Sequence, residues 1–322
     1  MPSEFREFDC SRLRTHKIGS RPRKVELSSA AVPWRRGGSA SDLVASLPDV
    51  LAGKDLKSAV GAISAAAKDK KPVILAMGAH VIKCGLSPVV ADLIQRGIVT
   101  ALALNGAGAI HDAEMALFGR TSEDVAQGLV DGTFGMGAET ADFLNGAALA
   151  GQAAGQGFGE AIGRRLIESG VPHAGASLLA AASRAHIPAT VHVAIGTDIV
   201  HMHPGADGGA IGECSMRDFR IFAAAVEELA QRGGVFINAG SAVILPEVAL
   251  KAFAMAANVG HDLSRVFTVN LDFIRQYRAE QQIVHRVRAL EGHAVSLVGH
   301  HEIMLPLIAA AVIESQEGPA VG

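Results

Sequence analysis

The sequence predicts an α/β protein with three layers: a mostly parallel central sheet covered by helices on both faces. Three observations carry this prediction. Short apolar runs alternate with helical patterns from about residue 56 onward, the order that right-handed parallel crossovers produce. The runs are apolar throughout instead of alternating with polar residues, as strands buried on both faces are. Nearly every run is followed at once by a Gly-rich or polar turn, and ligands of such sheets bind beyond the carboxyl ends of the strands.

Taken in order, Ser39 or Ser41 caps a helix running toward Leu51, and residues 56–68 read as a second helix. Pro72-Val-Ile-Leu-Ala-Met77 is the first strand. Ser87 and Pro88 open a helix to Arg96, and residues 100–104 form the second strand, ending in Asn105-Gly-Ala-Gly-Ala109 before a helix through Phe118. Residues 131–165 are Gly-rich. Gly155, Gly157 and Gly159 invite comparison with a phosphate loop, but no strand precedes them, so small residues on a helix face are the better reading. Then come a helix at 178–185, a strand at 189–195, a long helix at 216–232 and a strand at 235–238. A helix at 247–258, strands at 266–269 and 295–298 and a helix at 306–314 complete the pattern. With no internal repeat and no linker, residues 41–322 read as one domain preceded by an arm, residues 1–40.

With 49% hydrophobic residues among 322, the chain can bury a large core. A net charge of −3 gives no global field for nucleic acid or a membrane surface, and only 4% aromatic residues argues against a module that stacks bases. No apolar stretch approaches the roughly 18 residues of a membrane span, and the N-terminus lacks an apolar signal core. Cys10, Cys84 and Cys214 are far apart and form no disulfide framework, which suits a reducing, cytoplasmic location. The arm holds nine Lys/Arg against four acids, together with the sole Trp, Trp34. It reads as an extended segment that packs on a neighbouring subunit or stays mobile, with a basic arm for an anionic partner as the alternative.

The residues following the strands are the candidate site. They are Gly78-Ala-His80-Val-Ile-Lys83-Cys84-Gly85, Gly106-Ala107-Gly108-Ala-Ile-His111-Asp112-Ala-Glu114, Gly196-Thr-Asp198-Ile-Val-His201-Met-His203, Ala239-Gly240-Ser241, Asn270-Leu271-Asp272 and Gly299-His300-His301-Glu302. Glycine there lets backbone N–H groups approach a phosphate, and the following helix N-terminus favours an anion. Asp112 or Asp198 can accept from ribose hydroxyls. His203 or His111 suits a general base near neutral pH. Lys83 suits a phosphate or a carbonyl intermediate, or is simply a surface lysine. His192 lies inside a strand and reads as a core histidine. His201 and His203, with His300 and His301, are far enough from known metal spacings that loop histidines bonding a ligand or backbone are the better reading.

These turns resemble, in order, those of the deoxyhypusine synthase superfamily, from about residue 73 to 314. Gly78 to Gly85 resembles its first cofactor loop, and Gly106-Ala-Gly108 with His111-Asp112 its Thr-Ala-Gly-Gly turn followed by two acids. His186-Ile-Pro188 and Thr197-Asp198 resemble its Thr-Asp loop, Gly240-Ser-Ala-Val-Ile244 its triple-Gly turn, and Pro306-Leu307 its closing segment. The stretch 105–119, Asn-Gly-Ala-Gly-Ala-Ile-His-Asp-Ala-Glu-Met-Ala-Leu-Phe-Gly, is also similar to the Asn-Ala-x-Ala-Val-His-Asp-x-Glu stretch of archaeal-type NAD-dependent ornithine cyclodeaminases. The resemblance implies a Rossmann-like NAD site that includes Cys84, Gly106, Ala107, Gly108, His111, Asp112, Asp198, Gly240, Ser241, Asn270, Leu271, His300 and His301. It also implies a homotetramer.

Departures from the family bear on activity. The synthase forms an imine through a lysine shortly before its last strand, and the matching Val284-His-Arg-Val-Arg288 has none. Where its spermidine-binding His stands, this chain has Leu245-Pro-Glu247, and His203 replaces an acidic substrate contact. A polyamine needs carboxylates around it, and these loops offer histidines. The expected function is therefore NAD-dependent hydride transfer on a small amine- or hydroxyl-bearing substrate, without hypusine formation. Lys83, His203 and Glu247 are the candidate catalytic residues. The alternatives are a metal-dependent hydrolase using the loop histidines and a non-catalytic NAD-binding regulator.

Overall fold

β1 (Val73–Met77) is buried at every residue, which is the signature of a strand flanked on both edges and covered on both faces. A computed structural model, describing residues 4–316, places it at the centre of a six-stranded sheet. The other strands are β2 (Ala101–Asn105), β3 (Ala189–His192), β4 (Gly234–Ala239), β5 (Val266–Asp272) and β6 (His293–Val298). Their spatial order is β3-β2-β1-β4-β5-β6 and every pair is parallel. Leu75 lies opposite Leu102 on one side and Ile237 on the other. The winding reverses between β1 and β4, so their carboxyl ends flank the crevice where doubly wound sheets bind ligands.

The two-residue period of β1 divides the core. Val73, Leu75 and Met77 pack with α2 (Leu51–Lys68), α4 (Ser87–Gln95) and α14 (His301–Gln316). Ile74 and Ala76 face Phe222 of α10 (Gly208–Arg232) and Ala249, Ala252 and Phe253 of α11 (Ile244–Asn258). α1 (Ala40–Ser46) begins with a capping box in which Ser39 takes the Asp42 N–H and the Asp42 carboxylate takes that of Ser39. The remaining helices are α3 (Ala79–Lys83), α5 (Gly106–Phe118), α6 (Val125–Asp131), α7 (Ala138–Ala154), α8 (Phe158–Glu168), α9 (Leu178–Arg184), α12 (Tyr277–Ala279) and α13 (Arg286–Ala289).

The 131–165 stretch contains helices, as its glycines suggested, and no phosphate loop. Gly155 ends α7 in the left-handed region at φ +66, Gly157 caps α8, and Gly159 lies against β3. A Cβ at Gly159 would sit 2.2 Å from the Ala189 carbonyl oxygen, so α8 covers the edge strand as closely as a helix can. Among the boundaries that differ from expectation, three have a clear cause. β3 stops at His192, because Gly196 turns the chain away at φ +90. α10 starts at Gly208, where Asp207 accepts the Ala210 N–H at 2.8 Å and offsets the weak helix propensity of Gly208, Gly209 and Gly212. α14 starts at His301, five residues before Pro306. Between α12 and α13 lies a π-helix, Glu280–His285, whose Ile283 carbonyl accepts from the Thr268 hydroxyl at 2.5 Å. The stretch 284–288 that lacks the family's lysine faces the core through Val284 and Val287, 2% and 3% exposed.

Candidate functional site

The post-strand residues meet at the carboxyl edge of the sheet, but the chain's own packing explains most of their glycines. A Cβ at Gly78 would lie 2.2 Å from the Gly240 carbonyl oxygen, and one at Gly240, which adopts φ +65, would lie 2.8 Å from His301 Nε2. Gly108 is close to Leu104 and to Asn105, whose Oδ1 accepts its N–H at 2.9 Å. Gly106 differs, because a Cβ there would overlap Asp198 Oδ2 at 1.8 Å. The bare Cα of Gly106 therefore seats a carboxylate at the α5 N-terminus, beside N–H groups that have no intrahelical partner. Burial raises the Asp198 pKa, against the pull of His201 at 3.9 Å and of the Thr197 hydroxyl at 3.3 Å.

Beside Asp198 opens a cavity of about 180 Å³ lined by Lys83, Ala107, His111, Glu114, Glu123 and Asp198, with Ile110, Phe134 and Ile199 as apolar walls. Its roof is the segment that carries α6. His111 Nδ1 lies 2.5 Å from Thr121 Oγ1, and the Thr121 hydroxyl donates to Glu114 Oε2. With its one proton committed to Glu114, Thr121 accepts from His111 Nδ1–H, which leaves the lone pair on Nε2. Burial raises the Glu114 pKa, but His111 at 3.8 Å and the hydrogen bonds from Thr121 and Thr140 outweigh it and hold the carboxyl below its ordinary value. The result is an oriented imidazole backed by an ionised carboxylate. Larger hollows of about 600 and 340 Å³ open at the amino ends of the strands, around Pro188, the edge that such sheets do not use for ligands.

The structure gathers some of the expected residues and disperses others. Lys83, Ala107, His111 and Asp198 line the cavity. Asp112 does not: fully buried, it accepts from the Ser177 hydroxyl at 2.5 Å and from the Leu178 and Leu179 N–H groups at 2.7 and 3.2 Å, latching α9 to α5. That geometry leaves it nothing to offer a ribose. His203 is a strut of the roof, 2.8 Å from the Gly135 carbonyl. Glu247 stands on α11, bound by Lys251, by Arg278 at 3.0 Å and by Gln282 at 2.9 Å, and is not among the cavity residues. Lys83, His203 and Glu247 are thus not one catalytic group. Asn270 is buried and bonded to Asn238 and Glu280, and Leu271 is core. Ser241 accepts from the Leu245 N–H at 3.2 Å.

At the crevice itself, His301 is fully buried. Neither ring nitrogen has a hydrogen-bond partner, and the Asp272 carboxylate lies 3.6 Å away. His80 packs on His301 and Phe273, with Nε2 3.4 Å from Cys84 Sγ. Burial and then Glu302 push the Cys84 thiol up, so it is no thiolate. His300 is exposed beside Glu302. Among the described residues no three of His, Cys, Asp and Glu come together as metal ligands. His192, as expected, is core: it contacts Thr190 at 3.0 Å and burial lowers its pKa to about 4.

One feature was not legible in the sequence. The Glu114–Thr121–His111 relay joins α5 to a loop with no marked pattern. The only signal was the three-residue spacing that puts His111 and Glu114 on one helix face. Carboxylates stand beside the histidines here, since Glu114, Glu123 and Asp198 all line the cavity.

No protein-family model and no curated protein matches the sequence. Among solved structures, unliganded AgrE aligns over 88% of this chain and 34% of its own, at 14% identity and a TM-score of 0.55. The ternary complex of AgrE with ornithine and NAD+ aligns over 81% of this chain and 33% of its own, at 14% identity and a TM-score of 0.51. A conserved putative LOR/SDH protein from Methanococcus maripaludis S2 aligns over 91% of this chain and 74% of its own, at 17% identity and a TM-score of 0.51. A putative deoxyhypusine synthase from Entamoeba histolytica aligns over 86% and 93% at a TM-score of 0.46 and 14% identity, a likeness too slight to build on. The chain spans about a third of the length of AgrE. What is common to this chain, AgrE and the LOR/SDH protein is the fold, three layers around a parallel sheet.

Proposed function

We propose that the protein is an NAD-dependent enzyme that moves a hydride to or from a carbon bearing an amine or hydroxyl on a small substrate. The observation that carries this reading is the His111–Thr121–Glu114 relay, which lines a cavity at the carboxyl edge of a doubly wound sheet. A protein that only binds NAD needs no oriented base there. The AgrE complex with NAD+ supports the cofactor, since it is built on the same fold.

The chain's residues fit a dinucleotide in part. Asp198 at the α5 N-terminus suits a ribose hydroxyl, because its carboxylate repels a phosphate at that spot. The unpartnered, buried nitrogens of His301 beside Gly240 support assigning the rest of the dinucleotide to the crevice between β1 and β4. When bound, a nicotinamide supplies the hydride acceptor. In the oxidative direction His111 Nε2 takes the proton of the amine or hydroxyl as hydride leaves the same carbon, and Glu114 stabilises the imidazolium. Glu114, Glu123 and Asp198 outnumber Lys83 in the cavity lining, which favours a cationic amine, with Lys83 free to hold a carboxylate of the same molecule.

Ligand-stripped protein titrated with NAD by calorimetry tests the cofactor. Binding in the wild type that is lost in Asp198→Ala, with an unchanged unfolding midpoint, is the expected result. Equal binding by both proteins would remove Asp198 from the site.

A further inference from the structure

We propose that the N-terminal arm of one copy docks on the α6 surface of a second copy of this chain. From residue 4 to 28 every arm residue is exposed. Phe8, Leu13, Ile18, Val25 and Leu27 are 70%, 61%, 76%, 70% and 92% accessible. Such large apolar side chains spread along an exposed segment gain nothing from water. The arm is tied to its own body near its root, by Asp49 N–H to the Ser29 carbonyl and Val32 N–H to that of Ser46, both at 2.9 Å.

Charge identifies the occupant. Residues 1–40 hold nine basic and four acidic residues, a balance of +5, which leaves 20 basic and 28 acidic residues, −8, for the rest of the chain. The body of a second copy is therefore an acidic partner. Its most complementary region is the roof segment 119–142, which has five acids, Glu123, Asp124, Asp131, Glu139 and Asp142, against one basic residue, Arg120. There α6 buries only Gly128, seated 3.0 Å from the Phe134 backbone by the measure of an added Cβ. Leu129 and Val130 stand 66% and 84% exposed among those acids. Basic residues interleaved with apolar ones on the arm thus match acidic residues interleaved with apolar ones on the roof.

Position favours a second copy over the arm's own roof. Ser41 N–H donates to Glu314 at 2.8 Å, so the arm leaves the body at the end of α14, which runs back to the amino edge of the sheet. The roof lies over the carboxyl ends of β2 and β3. Reaching it within one copy means crossing the body from corner to corner, whereas a two-fold partner satisfies both arms at once.

Light scattering and sedimentation at micromolar concentration test this, comparing the full chain with one beginning at Ser39, which keeps the α1 capping box. The full chain is expected to be at least a dimer, and truncation to halve its mass or weaken association by about tenfold or more. Val130→Lys and Asp142→Lys, at exposed positions, are expected to do the same without moving the unfolding midpoint. Arg12→Glu with Arg14→Glu is expected to restore association in the Asp142→Lys background. A monomeric full chain, an unchanged mass on truncation, or α6 variants that associate as the wild type does would each overturn the proposal. If Val130→Lys fails to fold, Asp142→Lys and its rescue decide.

Discussion

Asp112 and Asp218 are carboxylates used as mechanical parts. Asp218 on α10 accepts from Gly159 N–H at 2.9 Å and Val191 N–H at 2.7 Å, pinning α8 and β3 together. Burial raises its pKa to about 7 and that of Asp112 to about 6, against those hydrogen bonds. A carboxyl whose folded pKa is raised stabilises below its unfolded pKa, and the contribution is lost as pH rises through the folded value. His192, held at about 4 by burial, works in the opposite sense up to its ordinary 6.5. Above pH 6.5 Asp218 therefore dominates among these three. Stability is expected to fall by on the order of 1 kcal/mol between about pH 6.5 and 8. Thermal unfolding across that interval checks this. Asp218→Asn, which keeps one acceptor and the shape, is expected to flatten the slope, and a wild type with no slope would show the carboxylate to be ionised throughout. For catalysis, His111→Gln is expected to lower kcat by roughly 10²–10⁴-fold with little change in KM. A loss confined to KM would make His111 a binding residue.

At the scale of elements, the sequence was most legible where burial is complete. The runs at 72–77, 100–104 and 235–238 map onto β1, β2 and β4, because a strand covered on both faces has no room for polar residues. The helices α6, α7 and α8 were harder to delimit, since Gly and Ala carry little periodicity and their boundaries rest on single caps such as Asp124 on Gln127 N–H. Lys83, Ala107, His111 and Asp198 line one cavity because they follow strands whose carboxyl ends lie at the same edge. Asp112 follows one too, but its position on the inner face of α5 turns it to the Ser177 turn, which only tertiary contact reveals. Glu114 was legible as a residue following a strand, but Thr121 and its bond to Glu114 were not, because that partnership spans a loop. Gly159 gives an element-scale test. Gly159→Ala forces α8 away from the Ala189 carbonyl and is expected to destabilise by on the order of 3 kcal/mol. Chemical denaturation reads this directly, and an unchanged midpoint would mean that α8 can shift freely along β3.

At the scale of the molecule, an all-parallel sheet in the order β3-β2-β1-β4-β5-β6 gathers residues from 78 to 301 at one edge. That gathering explains why loops scattered along the sequence can act as one site. It also places a buried, unpartnered histidine, a carboxylate over a bare glycine and a relay-bearing cavity on the same side of the molecule. Calorimetric titration of ligand-stripped, full-length protein with NAD and NADP asks whether this edge binds a nicotinamide dinucleotide, as we propose. Saturable binding of one of them, with a stoichiometry of about one per chain and abolished by Asp198→Ala, is the expected result; no heat of binding for either up to about millimolar concentration, an affinity of only about −4 kcal/mol, would contradict it.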